Sequence, residues 1–408
     1  MNIKHLYIQL YKGRSAMNQN VDWEQRIDWN SVRDHRLNRI ITEMKLAGYD
    51  ALLFTKLDAL RYAISFRSVF SLWFHGNRYI LLITADGRVK FLVASGCLER
   101  VLQTMPWVND PEPLPFIISQ GLKTITGAID KLGLSGAKIG VDMMPFSLYD
   151  PLKAALPKAN FVDGSIVIEK ARRKKHPDEV KALRLAAEIV DIGMDTVLRN
   201  VKPGITEHEI SSAASYAMNL AGSEETPYMP LVCAGEHGSI GYRFPTDRRL
   251  KHGEMVYTDC GAAVVNGYNG DIARTTVVGK AKSEEQKKIY RAMVQMLESG
   301  TKAVKPGAST SEIAFACQHA AEEAGYGKYT YYGIVGHGIG TDIHEAPSIG
   351  EKVCEGEEVE KLMQNEVICL EPGILVPGVG GGHVENMILV TEQGSEVLTQ
   401  TPFEEKLL

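Results

Sequence analysis

The chain has 408 residues, with 45 basic and 50 acidic side chains and a formal net charge of −5. No basic block gathers the clustered positive face that nucleic acid requires as a main partner, so a small polar substrate is the better expectation. No window approaches the roughly 18 uninterrupted apolar residues of a membrane span, and the length admits two domains of roughly 100 to 200 residues each.

Six cysteines (Cys97, Cys233, Cys260, Cys317, Cys354 and Cys369) form no CxxC pair. That argues against disulfides and a structural zinc site and points to a cytoplasmic setting. Residues 1–28 read as a loose tail, too polar for a signal peptide, with Met17 as an alternative start.

From 29 to 170 the pattern predicts an α/β domain. SVRDHRLNRIITEMKLAGY is an amphipathic helix ending at Gly48, and DALLFT is a buried strand. YILLIT and VKFLVA are strands joined by an Ala-Asp-Gly hairpin turn. GAKIGVD, LYDPLKAALP and NFVDGS read as strand, helix, strand. The basic run in EKARRKKHPDEV, followed by Pro177, Asp178 and Glu179 at a helix start, reads as a solvated connector into a second domain, 171–408.

That second region carries an internal repeat. VKPGITEHEI begins at Val201 and VKPGASTSEI at Val304, an offset of 103 (304 − 201) that persists without gaps to Gly222 and Gly325. Each copy predicts a helix, a Pro-Gly turn with a capping residue (Thr206, Ser309) and a second helix closed by glycine. Two such halves would supply ligands from both sides of a sheet.

Four separated segments offer ligands in the order Asp259, Asp271, His337, Glu371 and Glu385. Asp259 and Asp271, twelve residues apart (271 − 259), are expected nearly opposite each other on a hairpin turning near Asn266 and Gly267. Three glycines around His337 in GHGIGTDIHEAP allow close backbone approach. Glu371 and Glu385 interrupt apolar strand-like runs, where a carboxylate is costly unless a cation neutralises it. Four carboxylates with one imidazole would nearly neutralise two divalent cations.

Together these segments resemble the creatinase, prolidase and methionine aminopeptidase family, the pita-bread metallopeptidases. DCG with GDIART, GHGIG with HEAP, LEPGI and the VEN segment stand in that family's order, and the likeness, of prolidase and aminopeptidase P type, covers nearly the whole chain. It implies an α/β (α+β) fold: a creatinase-like N-terminal α/β domain, then a pita-bread domain with an internal pseudo-twofold repeat and a curved antiparallel sheet. It further implies a homodimer and a dinuclear hydrolase holding two divalent ions (Mn, Fe, Co or Zn) that activate water for attack on an amide of a small peptide. Asp271 and Glu385 would bridge the ions, Asp259 would hold one, and His337 with Glu371 the other. Glu371 would shuttle a proton to the leaving group, and His344 would polarise the substrate.

The pattern departs from that family in three places. Where prolidase-like members carry a substrate-binding histidine, IGYRFPTDRR places Tyr242, with Arg243 and His237 as nearby substitutes. The family's Arg-x-Glu-Asp becomes His383, Val384, Glu385 and Asn386, and the two aspartates are one residue further apart than usual. These changes resemble branches acting on small zwitterions, namely creatinase, ectoine hydrolase and dimethylsulfoniopropionate lyase. In that alternative Asp342 or Tyr242 would be a base, and Trp73, Phe74 and Tyr79 would hold a quaternary cation unless they simply pack a core. The candidate substrate-binding residues are therefore Tyr242, Arg243, His383, Trp73 and His75, with Arg78 beside them. A third reading, a metal-free binding protein, is opposed by the presence of all five ligands.

Overall fold

A computed structural model describes residues 27–67, 78–115, 118–239, 243–263, 267–330, 334–350 and 359–408. The first helix, α1 (Trp29–Leu46), starts where the Asp28 carboxylate accepts from the backbone N–H groups of Asn30 and Ser31. It buries Val32, Arg36, Ile40 and Met44, one residue per turn. The chain then reverses through Gly48 at φ 67° into β1 (Ala51–Phe54).

A short helix α2 (Leu57–Ile64) leads towards β2 (Tyr79–Thr84) and β3 (Val89–Ala94), joined by the expected turn with Gly87 at φ 90°. After α3 (Leu98–Thr104) come β4 (Glu112–Leu114), α4 (Leu122–Lys131), β5 (Lys138–Val141), α5 (Phe146–Ala155), β6 (Asn160–Asp163) and α6 (Ser165–Arg173). The six strands form one mixed sheet in the order β4-β3-β2-β1-β5-β6. Alternation along β1 decides its two faces: Leu52 and Phe54 pack with α1 and α6, Ala51 and Leu53 with α4 and α5.

The basic run is not a solvated connector. Arg172, Arg173 and Lys175 are buried, and each is held by carboxylates far away in sequence. Arg172 pairs with Asp58 at 2.7 Å, Asp342 at 3.5 Å and Glu345 at 3.3 Å. Arg173 pairs with Glu360 and Glu366, both at 2.6 Å, and Lys175 pairs with Glu345. A second buried link joins α1 to the later region, where Arg36 meets Glu179 at 3.3 Å and Tyr268 bonds to both.

Helix α7 (Pro177–Asn200) begins at a capping box in which Glu179 accepts from the His176 N–H. The repeat then appears as α7 with α8 (Glu207–Leu220), and again as α9 (Glu284–Ala303) with α10 (Thr310–Glu323). Thr206 with Glu209 and Ser309 with Glu312 close equivalent capping boxes. All strand pairs after α7 are antiparallel among the described residues. They form the ladders β7-β8-β9, β11-β10-β12-β15-β16 and β13-β14.

The ladders comprise β7 (Leu231–Ala234), β8 (Met255–Ala263), β9 (Asn269–Val277), β10 (Ile334–Gly338), β11 (Glu345–Gly350), β12 (Val367–Leu370), β13 (Gly373–Val376), β14 (Gly380–His383), β15 (Asn386–Val390) and β16 (Ser395–Val397). Backbone bonds from Glu385 N–H to Ala273 and from Asn269 N–H to Gly340 join the ladders. One apolar cluster packs α7 and α8 against them, and another packs α9 and α10. The five described cysteines are free thiols, and no described helix is long and apolar enough to cross a membrane.

Arg172→Ala would remove the central cation of this network, leaving buried Glu345 to Lys175 alone and Asp58 and Asp342 to the half-exposed Lys56, so urea unfolding is expected to show a loss of about 2 kcal/mol. A loss under about 0.5 kcal/mol, the usual effect of a surface change, would restore the solvated reading.

Candidate metal centre

Asp259 on β8 and Asp271 on β9 share a face but are not directly opposite. The register pairs Asp259 with Ala273 and Gly261 with Asp271, so the two carboxylates are diagonal neighbours. The expected turn at Asn266 lies outside the described residues, while Gly267 takes φ 70°. A residue that the sequence did not flag ties the pair together: the Tyr228 hydroxyl reaches Asp259 Oδ1 at 2.6 Å and also bonds to Asp271. Gly261 makes room for that tyrosine, since a Cβ there would lie 2.8 Å from its ring.

The second contribution comes from the five-stranded ladder. His337 on β10 faces Cys369 on β12. Leu370 faces Asn386 on β15, so continuing that register by one residue puts Glu371 across from Glu385. Strand alternation then sends Cys369, Glu371 and Glu385 to one side. The close approach expected of the glycines is present: a Cβ on Gly336 would lie 2.2 Å from the Cys369 carbonyl, and one on Gly338 2.3 Å from that of Ala346.

His337 Nε2 stands 3.4 Å from Glu371 Oε1, and its Nδ1 is 3.0 Å from the Gly338 carbonyl. The exposed ring of His344 lies 4.0 Å from that of His337, centroid to centroid. Donor atoms of Asp271, His337, Cys369 and Glu385 all fall within 4.8 Å of one another, as do those of His337, His344 and Glu371 and those of Asp259, His383 and Glu385.

Burial dominates the electrostatics. It pushes the Asp259 carboxyl up to about 6 and, with the Asp259 charge added, Glu371 up to about 8. Burial and then the neighbouring carboxylates hold Asp271 and Glu385 well above the ordinary range. Burial also holds both inner imidazoles neutral, at about 3, reinforced by His344 beside His337 and by Arg274 beside His383. Glu385 Oε1 is buried with no hydrogen-bond partner among the described residues. Several converging carboxylates, one with an orphaned oxygen, and neutral imidazoles suit divalent cations, which would relieve the repulsion that protons otherwise relieve.

The remaining candidates are dispersed. His383 is fully buried inside the acidic cluster. His237 is occupied by Glu207, with Nδ1 3.1 Å from Oε1. The Arg243 carbonyl accepts from the Cys233 thiol, and among the described residues no ion pair ties its guanidinium to the cluster. Asp342 faces Arg172 and Lys56 in the buried ion network. Tyr79 belongs to the core of the first domain, tilted against Phe66 and stacked with Phe91. Trp73, Phe74, His75 and Tyr242 lie outside the described residues, and Arg78 precedes β2.

Cys369 also escaped the sequence reading, although its place two residues before Glu371 on a strand was a usable signal. Tyr228 had none, because its partners come 31 and 43 residues later.

Residues 181–392 match the model of metallopeptidase family M24, and residues 36–174 match that of the creatinase/prolidase N-terminal domain. The chain is 30% identical over 270 residues to an Xaa-Pro dipeptidase of Pyrococcus horikoshii, covering 66% of this chain and 75% of that protein. It is 33% identical over 365 residues to an uncharacterized peptidase of Staphylococcus aureus, covering 89% and 98%. A dipeptidase structure from Pyrococcus horikoshii superposes with a TM-score of 0.80 at 28% identity, over 90% of this chain and 99% of that one. The chain therefore belongs to metallopeptidase family M24, as a metal-dependent hydrolase with a creatinase-type domain ahead of its catalytic domain.

Proposed function

We propose that this chain is a prolidase-type peptidase that uses two divalent cations to hydrolyse the amide bond of Xaa-Pro dipeptides or short peptides. The observation that carries the reading is the convergence of the buried Asp259, Asp271, His337 and Glu385 with the half-buried Glu371 from two ladders. Similarity to Xaa-Pro dipeptidases supports the substrate class.

Asp259 would hold one cation and His337 with Glu371 the other, with Asp271 and Glu385 between them. Glu385 suits the bridging place, since it clusters with Asp259 on one side and with His337 on the other. When bound, the cations would supply Lewis acidity that lowers the pKa of a water and draws charge from the scissile carbonyl. Glu371, ionised once the cations displace its proton, would take a proton from the attacking water and return it to the leaving nitrogen. His344, at the exposed edge beside His337, donates a hydrogen bond to the substrate as charge develops on its carbonyl oxygen.

A second reading, action on a small zwitterion, is favoured by His383, which places a neutral ring where the family pattern has an arginine. A panel of Xaa-Pro dipeptides and betaine-like zwitterions separates the two. Asp271→Asn is expected to abolish turnover, by at least about a thousandfold, and to lose bound manganese or zinc by elemental analysis. Full activity in that variant would refute the metal-dependent reading.

The pH dependence has a definite sign. The raised carboxyl values mean that the metal-free cluster stabilises the fold while protonated, and that this contribution is lost as pH rises through about 6 for Asp259 and about 8 for Glu371. Cations replace those protons. The rise in unfolding temperature on adding manganese to chelator-treated protein is therefore expected to be small at pH 5.5 and several degrees larger at pH 8. An increment that shrinks with pH would contradict this.

A further inference from the structure

We propose that His383 is itself a metal ligand, its Nε2 holding the cation on the Asp259 side so that an imidazole stands at each end of the centre. This rests on the dinuclear reading above and adds a donor to it.

Three observations carry the assignment. Donor atoms of His383, Asp259 and Glu385 lie within 4.8 Å of one another, and His383 and Glu385 are almost wholly buried. His383 Nε2 is 3.6 Å from Asp259 Oδ2, which is long for a hydrogen bond. It is close to the roughly 3.4 Å between two donors that each sit about 2.1 Å from one tetrahedral ion. The same spacing, 3.4 Å, separates His337 Nε2 from Glu371 Oε1 at the other end. Glu385, whose Oε1 is buried without a hydrogen-bond partner among the described residues, is a further donor residue in the same group.

The strand that delivers the ring is built for this approach. His383 ends β14, a run of three glycines paired with β13 so that Gly373 faces His383. Side chains are excluded along it: a Cβ on Gly381 would lie 2.1 Å from the Ile374 carbonyl, and one on Gly382 2.3 Å from Thr275 Oγ1. The Thr275 hydroxyl donates to the His383 carbonyl at 2.8 Å, and the Tyr257 ring meets the imidazole edge-on at 4.7 Å. The other ring nitrogen, Nδ1, faces Glu371 Oε2 at 3.7 Å.

A second neutral imidazole adds a donor without adding charge, so two divalent cations still balance four carboxylates. It also shifts the centre from oxygen-rich coordination towards borderline metals, so cobalt and zinc gain over manganese.

The test is titration of the full-length, chelator-stripped protein with cobalt(II), followed by calorimetry and visible absorption, in wild type, His383→Leu and His337→Leu. His383→Leu is expected to weaken one equivalent at least about tenfold. It should change the cobalt spectrum and leave the other equivalent, the one sensitive to His337→Leu, at wild-type affinity. Two equivalents with wild-type affinity and an unchanged spectrum would overturn the assignment while leaving the dinuclear reading intact. A wild type that binds no cobalt would overturn both. Should His383→Leu fail to fold, pulsed EPR of the manganese-loaded His344→Ala variant labelled with 15N-histidine decides the matter: two coordinated imidazoles support the proposal and one refutes it.

Discussion

Everything in the later domain turns on the cost of placing four carboxylates together in a buried space. Burial strips Asp259, Asp271, Glu371 and Glu385 of water, and neighbouring charge adds to this at Asp271, Glu371 and Glu385, so each holds its proton more tightly than a free carboxyl would. Such a cluster is sustained only by protons, by hydrogen bonds such as that from Tyr228, or by cations. Two divalent cations would match the charge, and the flanking neutral imidazoles would supply donors without disturbing that balance.

The scaffold explains how so costly an arrangement is kept in place. The aspartates ride on one hairpin and the remaining donors on a separate ladder, and the backbone bond from Glu385 to Ala273 joins the two. Glycines at 336, 338, 381 and 382 remove side chains where strands cross at close range. The loop carrying His344 is anchored from behind, because its neighbours Asp342 and Glu345 are gripped by Arg172 and Lys175, with Asp58 of the first domain sharing Arg172. The N-terminal domain is thus coupled by buried charge to the segment that presents a catalytic candidate.

Much of this was legible in the sequence for physical reasons. Thr206 with Glu209 and Ser309 with Glu312 announce helix starts locally, so the repeat could be read and its helices placed. Carboxylates within apolar strand runs betray themselves by their cost, which is why Glu371 and Glu385 stood out. What depends on distant partners was not legible. The run containing Arg172, Arg173 and Lys175 resembles any exposed basic stretch until carboxylates from residues 342 to 366 are known to surround it. The diagonal placement of Asp259 and Asp271 depends on a strand register that their spacing alone did not set. Nor does sequence order reveal that His383 turns inward to the carboxylates rather than outward to a substrate.

The central claim, that cations neutralise this acidic cluster, is tested most directly by anomalous diffraction from crystals of the protein grown with manganese. The account requires two anomalous peaks, one contacted by Asp259 and the other by His337 and Glu371, with Asp271 and Glu385 reaching both. The five side chains converged around no anomalous density, at a pH where their carboxylates are ionised, would contradict it.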